Sequence, residues 1–197
     1  FIMKRLLLIV LLLSVGFSQQ LAKVVETYEN GNIKSITSHK ETRNRIEKVK
    51  EVKYHENGQK QYEGTFKNGE QDGLFAEWYE NGQKKYEWNY KDGKKDGLTT
   101  KWHENGQKDY EWNYKDGELD GLTTKWYENG QKKIEGTYKD GKLDGLKTDW
   151  YENGQMSFKG IFKNGELDGL STQWFENGQK ENEGTFKDGE LVNIIGR

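Results

Sequence analysis

The chain has 197 residues, 31% hydrophobic and 32% charged, with a net charge of −2 and neither cysteine nor proline. Without cysteine there are no disulfides, thiolate metal sites or cysteine nucleophiles, and the interspersed charges leave no basic stripe of the kind that tracks nucleic-acid phosphates. Seven Trp, eleven Tyr and eight Phe argue against the disorder that so low a hydrophobicity otherwise implies, because rings bury large areas apiece.

The N-terminus reads as a secretory leader over residues 1–18. Lys4 and Arg5 precede an almost wholly apolar run from Leu6 to Val15, and small residues follow at Gly16 and Ser18. That order matches a signal peptide cleaved after Ser18. The run is short for a membrane span, which needs roughly 20 apolar residues, and no cysteine is present to carry a lipid anchor. Met3 is the expected translation start. The protein is therefore expected to be exported, to the periplasm or beyond.

Residues 19–50 form a degenerate first unit. Tyr28-Glu29-Asn30-Gly31 resembles the turns that follow, but Gly31 and Gly58 stand 27 residues apart. The charged, irregular stretch from Ser38 to Lys50 reads as a loop plus the strand leading to Tyr54.

Residues 51–190 hold six copies of a 24-residue repeat. Glu-Asn-Gly-Gln recurs with its glycine at Gly58, Gly82, Gly106, Gly130, Gly154 and Gly178. Lys-Asp/Asn-Gly keeps the same period, and Asp-Gly-Leu places Leu74, Leu98, Leu122, Leu146 and Leu170. A fixed period of this length marks an array whose units contact mainly their neighbours. Within one copy, Leu98, Thr100 and Trp102 alternate with Thr99, Lys101 and His103; past Asn105-Gly106, Tyr110, Trp112 and Tyr114 alternate with Glu111 and Asn113. Alternation on both sides of Asn-Gly predicts a β-hairpin. A three-residue loop, Glu104-Asn105-Gly106 with Gly106 left-handed, pairs Trp102 with Lys108 and Thr100 with Tyr110, which sets all the rings on one face. The second connection, with two Asp-Gly steps, reads as turn chemistry. In the second strand Gly64, Gly136, Gly160 and Gly184 predict close approach by another group, here an aromatic ring, whereas Trp88 and Trp112 fill that position in the other two copies. Leu191–Ile195 is expected to pair as a final, capping strand within residues 191–197. The predicted fold is all-β, an elongated single-layer antiparallel meander of roughly twelve to fourteen short strands.

Glu135-Gly136-Thr137-Tyr138-Lys139-Asp140-Gly141, then Asp144-Gly145-Leu146 and Trp150-Tyr151-Glu152-Asn153-Gly154, resemble the variant MORN repeat, and the similarity covers roughly residues 24–195. Bacterial proteins built from this variant are often labelled YwqK-family antitoxins of toxin–antitoxin systems. The resemblance implies a scaffold that binds proteins, associates with itself or, in some members, contacts phospholipid headgroups, with no catalysis of its own.

No active site or cofactor is predicted. Histidines 55 and 103 occupy a position that is Tyr or Phe in other copies, and the carboxylate pairs recur with the repeat instead of converging on one pocket. The Asp-rich connections match neither of the familiar calcium-loop spacings, so no metal is expected. The candidate binding surface is the aromatic face: Trp78, Tyr86, Trp88, Trp102, Tyr110, Trp112, Trp126, Trp150 and Trp174, with Trp88 and Trp112 most available. The expected partner is a protein, including a second copy through unpaired sheet edges; the alternative is an envelope carbohydrate or phospholipid surface.

Overall fold

The computed structural model describes residues 6–7, 21–41 and 45–195. It divides into two compact units, Phe1–Lys94 and Lys95–Arg197. The described residues form strands and turns only.

The first unit contains β1 (Leu6–Leu7), β2 (Leu21–Thr27), β3 (Ile33–Glu41), β4 (Ile46–Tyr54), β5 (Lys60–Lys67), β6 (Glu70–Trp78) and β7 (Lys84–Lys91). Each pairs antiparallel with the next. The predicted leader lies outside the described residues apart from β1, which opposes Val25 and Glu26. Within the segment expected to hold a loop and the strand leading to Tyr54, β3 runs on to Glu41, β4 begins at Ile46, and the two pair through one register shift after Ser38. Alternating β-branched residues, Ile33, Thr37 and then Ile46 and Val52, favour a pleated surface despite the charges around them.

The two-residue strand β8 (Lys94–Lys95) lies at the boundary. The second unit continues as β9 (Gly97–Trp102), β10 (Lys108–Lys115), β11 (Glu118–Trp126), β12 (Lys132–Lys139), β13 (Lys142–Trp150), β14 (Met156–Lys163), β15 (Glu166–Trp174), β16 (Lys180–Lys187) and β17 (Glu190–Ile194). These too pair in sequence, all antiparallel. The C-terminal residues pair as expected: β17 opposes β16, and the Ile195 amide donates to the Glu183 carbonyl.

Two turns build every repeat. At Glu-Asn-Gly-Gln the loop has the predicted three residues. The Gly106 amide donates to the His103 carbonyl, the His103 amide to the Gln107 carbonyl, Gly106 has φ +84°, and Trp102 opposes Lys108. At Lys-Asp/Asn-Gly both central residues have positive φ, 47° to 53° at the Asp or Asn, the signature of the two-residue hairpin turn whose twist matches its strands. The second Asp-Gly step is not part of that turn. In four copies it lies inside the following strand, where Gly73, Gly121, Gly145 and Gly169 keep positive φ at a register shift; in the other copy Gly97, also with positive φ, opens β9.

The predicted register fails one residue past the loop. Asp109 is a bulge, so Tyr110 opposes Lys101, not Thr100, and Trp112 opposes Thr99. The same shift recurs after Trp78, Trp126, Trp150 and Trp174 with quite different residues in the bulge, so the turn imposes it. A one-residue slip turns every later side chain to the other face. Leu98, Thr100 and Trp102 therefore share a face with Glu111 and Asn113, and Tyr110, Trp112 and Tyr114 share the opposite face with Thr99 and Lys101. A single layer has two faces to cover, and the bulge supplies rings to both.

Candidate binding surface

The nine predicted residues consequently divide. Trp78, Trp102, Trp126, Trp150 and Trp174 belong to one face of their hairpins, and Tyr86, Trp88, Tyr110 and Trp112 to the other. All nine are half-buried.

The tyrosine face is packed on itself. In the first unit Phe75 is 0% exposed, ringed by Tyr62, Phe66, Trp88 and Tyr90 at centroid distances of 5.3–6.3 Å. Burial, reinforced by Glu51, pushes the Tyr62 hydroxyl up to about 12. Trp88 stacks on Phe75 and meets Tyr86 edge-on. In the second unit Tyr110 and Trp112 stack at 4.1 Å. Trp88 and Trp112, expected to be the most available rings, each stack against a neighbouring ring. The close approach predicted at the strand glycines is present: a Cβ on Gly64 would stand 2.3 Å from Phe75, and one on Gly160 would stand 2.7 Å from Phe158. At Gly136 and Gly184 the approaching group is Leu143 or Leu191, not a ring.

The tryptophan face is capped by lysine. Lys60, Lys108 and Lys132 lie 5.4–5.7 Å above the rings of Trp78, Trp126 and Trp150, and each is held by the glutamate three residues on, Glu63, Glu111 and Glu135. The hydrogen bonds from Lys50 and Lys60 hold the Glu63 carboxyl below the ordinary glutamate value. Those from Lys180 and Thr172 do the same for Glu183. Cation–π contact and ion pairing together leave these rings half covered.

What that face leaves open is aliphatic. Leu74, Leu98, Leu122, Leu146 and Leu170 are 42–51% exposed, as is Ile161, which opposes Leu146. In the second unit these leucines recur on every second strand, so they form a row with a step of roughly 10 Å. The Asp-Gly-Leu marker was the signal for this row in the sequence. A single exposed leucine is ordinary, and only the periodic row is informative.

The loop edges are structural. Each Glu-Asn-Gly-Gln asparagine accepts the amide of the glutamine two residues on. Those at Asn57, Asn105, Asn129 and Asn153 also donate Nδ2 to the carbonyl of the next copy's glutamate. The Tyr127 and Tyr151 hydroxyls donate to the Trp150 and Trp174 carbonyls, and His55 Nε2 makes the same bond to Trp78 at 2.9 Å, which agrees with reading that histidine as repeat variation. His103 Nε2 has no hydrogen-bond partner and lies 3.9 Å from Asp109. At the opposite edge the carboxylates of Asp72, Asp96 and Asp144 accept the amide of the next copy's turn, so turn capping occupies oxygens that a cation would need. Among the described residues no group of three His, Asp or Glu side chains is placed to hold a metal.

No curated protein matches the chain. The family description "MORN repeat variant" matches it six times in succession, over residues 49–68, 71–92, 95–116, 119–140, 143–164 and 167–188. These segments coincide with the hairpin units and their stitching turns. The chain belongs to the MORN repeat variant family, a family of β-hairpin repeat scaffolds.

Proposed function

We propose that this protein is an exported, non-catalytic scaffold that docks a protein partner on the tryptophan face, in an antitoxin- or immunity-like role directed at an exported protein. The observation that carries this reading is the exposed row Leu122, Leu146, Ile161 and Leu170, repeated along the second unit, its leucines on the strands that carry Trp126, Trp150 and Trp174. Apolar patches of this kind, rimmed by charge, mark interaction surfaces, and half-buried indoles are suited to the centre of such an interface. The family's scaffolding role supports it, and the leader supports export.

The test is cross-linking capture from envelope extract with residues 19–197 as bait, comparing wild type with a Leu122→Glu/Leu146→Glu variant shown to be folded by circular dichroism. A protein captured by wild type and lost by the variant supports the docking face; equal capture by both removes it. N-terminal sequencing of the exported protein, expected to begin at Gln19, tests the leader independently.

A second reading attaches to the loop end of the first unit. There Glu51, Lys53, His55, Gln61, Tyr62, Glu77, Trp78 and Lys85 line a depression of 460 Å³. Charges of both signs beside an aromatic ring suit a polar, uncharged ligand such as a sugar. Binding to protein-free envelope glycan, lost in Tyr62→Ala, is the result that favours it.

A further inference from the structure

The chain contains nine Asn-Gly steps, the sequence most prone to imide formation because glycine offers an unhindered backbone nitrogen. The fold treats them unequally. In all six Glu-Asn-Gly-Gln turns the glycine amide donates to the residue three before it, as does Gly31 to Tyr28. In the Lys163-Asn164-Gly165-Glu166 turn, Gly165 donates to Leu143 at 2.7 Å, and the Asn164 amide donates to the Asp144 carboxylate. The remaining step is in Lys67-Asn68-Gly69-Glu70, identical in sequence to residues 163–166 and nearly identical in backbone, with φ 52° against 53°. Neither the Asn68 nor the Gly69 amide has a partner among the described residues.

The cause is the irregular first unit. The acceptor for Gly93, Gly117, Gly141, Gly165 and Gly189 is always the carbonyl 22 residues earlier. For Gly69 that position is Glu47, in the segment where the 24-residue period is broken. The carboxylate that accepts the Asp92, Asp116 and Asn164 amides lies 20 residues earlier. For Asn68 that position is Lys48, which has no acceptor and instead lies 3.7 Å above the Phe66 ring. Arg45 Nη2 stands 3.4 Å from Asn68 Oδ1, where its charge draws electron density from Cγ.

We propose that Asn68 is a site of spontaneous covalent modification to aspartate and isoaspartate. The Gly69 nitrogen, having given its proton to solvent base, attacks Asn68 Cγ. The Cγ–Nδ2 bond breaks, ammonia leaves and a five-membered imide forms. Water then opens the ring at the side-chain carbonyl to give aspartate, or at the main-chain carbonyl to give isoaspartate. The first product reproduces the Asp-Gly turn of the other copies and sets a carboxylate beside Arg45. The second lengthens the main chain by one carbon inside a two-residue turn and loosens the β5–β6 connection.

The test ages the folded full-length chain in warm, mildly alkaline buffer and follows each Asn-Gly peptide by mass spectrometry that separates the two products. Asn68 is expected to convert first, about three- to tenfold faster than Asn164, the factor set by opening one ordinary hydrogen bond. Lys48→Asp, which restores the missing acceptor, slows Asn68, and Asp144→Ala speeds Asn164. In denaturant the Asn68 and Asn164 rates converge, because their flanking residues are the same. Conversion of Asn164 or any Glu-Asn-Gly-Gln asparagine as fast as Asn68 in the folded chain overturns the proposal, as does a ranking that survives denaturation or a Lys48→Asp variant that ages unchanged.

Discussion

Single positions show why the repeat varies where it does. Gly64 lacks a Cβ because the Phe75 ring occupies its space, 2.3 Å from where that atom would stand, whereas at Gly136 the nearest atom, on Leu143, is 3.1 Å away. Phe75 is itself fully buried and cannot retreat without disturbing the rings around it. Gly64→Ala is therefore expected to lower stability by about 1–3 kcal/mol, the ordinary cost of overpacking, and Gly136→Ala by less; urea midpoints of the two variants measure the difference. His103 gives the opposite case. Tyr127 and Tyr151 tie their copies to the next through a hydroxyl-to-carbonyl bond of 2.7–2.8 Å, but His103 leaves its ring nitrogen without a hydrogen bond. His103→Tyr brings a hydroxyl within reach of the Trp126 carbonyl and is expected to stabilise by about 0.5–1.5 kcal/mol. A variant that melts no higher than wild type would show that the shorter ring is favoured there by its neighbours, Asp109 foremost.

At the scale of hairpins and turns, the asparagine of Glu-Asn-Gly-Gln has two tasks, and they can be separated. Asn129 accepts the Gln131 amide through Oδ1 and donates Nδ2 to Glu152 in the next copy. Asn129→Ala loses both bonds and is expected to cost about 1–3 kcal/mol; Asn129→Asp keeps the acceptor and is expected to cost about half as much. Equal losses in thermal melts would mean that the bond between copies contributes nothing. The lysine–glutamate ladder on the tryptophan face adds a pH dependence. Glu63 and Glu183 are held below the ordinary glutamate value by lysine hydrogen bonds, so the unfolded chain binds more protons than the folded one at mildly acid pH. Their contribution is complete above the unfolded value and is lost as pH falls through the folded one. Urea midpoints should drop below about pH 4.5, the ordinary glutamate value, and Lys60→Met should flatten that dependence. These elements also mark how far the sequence could be read. The hairpins, the three-residue loop and the left-handed Gly106 were legible because Asn-Gly between alternating runs has few backbone solutions. The bulge at Asp109 was not, because Gln61, Lys85, Lys133, Ser157 and Glu181 stand in the equivalent place and no residue type announces it. That one unread residue moved four of the nine predicted rings to the other face.

For the molecule as a whole, the consequence of sequential pairing is modular stability. In the unit Lys95–Arg197 each of β10 to β16 bonds the strand before it and the strand after it. Its buried side chains are small and distributed, Thr99, Thr100, Asp109, Thr123, Thr124, Thr148, Ser171 and Thr172, and among the described residues they form no central cluster on which every strand depends. Stability in such an array is close to a sum of repeat and nearest-neighbour contributions. A fragment of residues 95–165, which retains β9 to β14 complete, is thus expected to fold. Its urea midpoint should be lower than that of residues 95–197, and its m-value should be smaller in proportion to the surface it exposes on unfolding. Circular dichroism with urea titration of the two fragments decides the matter. A shorter fragment without a cooperative transition would mean that strands far apart in the unit depend on one another, and the partner-binding row would then have to be treated as one indivisible surface. A shorter fragment that unfolds cooperatively lets Leu122 and Leu146 be separated from Leu170, so that the length of array a partner needs can be measured by removing one hairpin at a time.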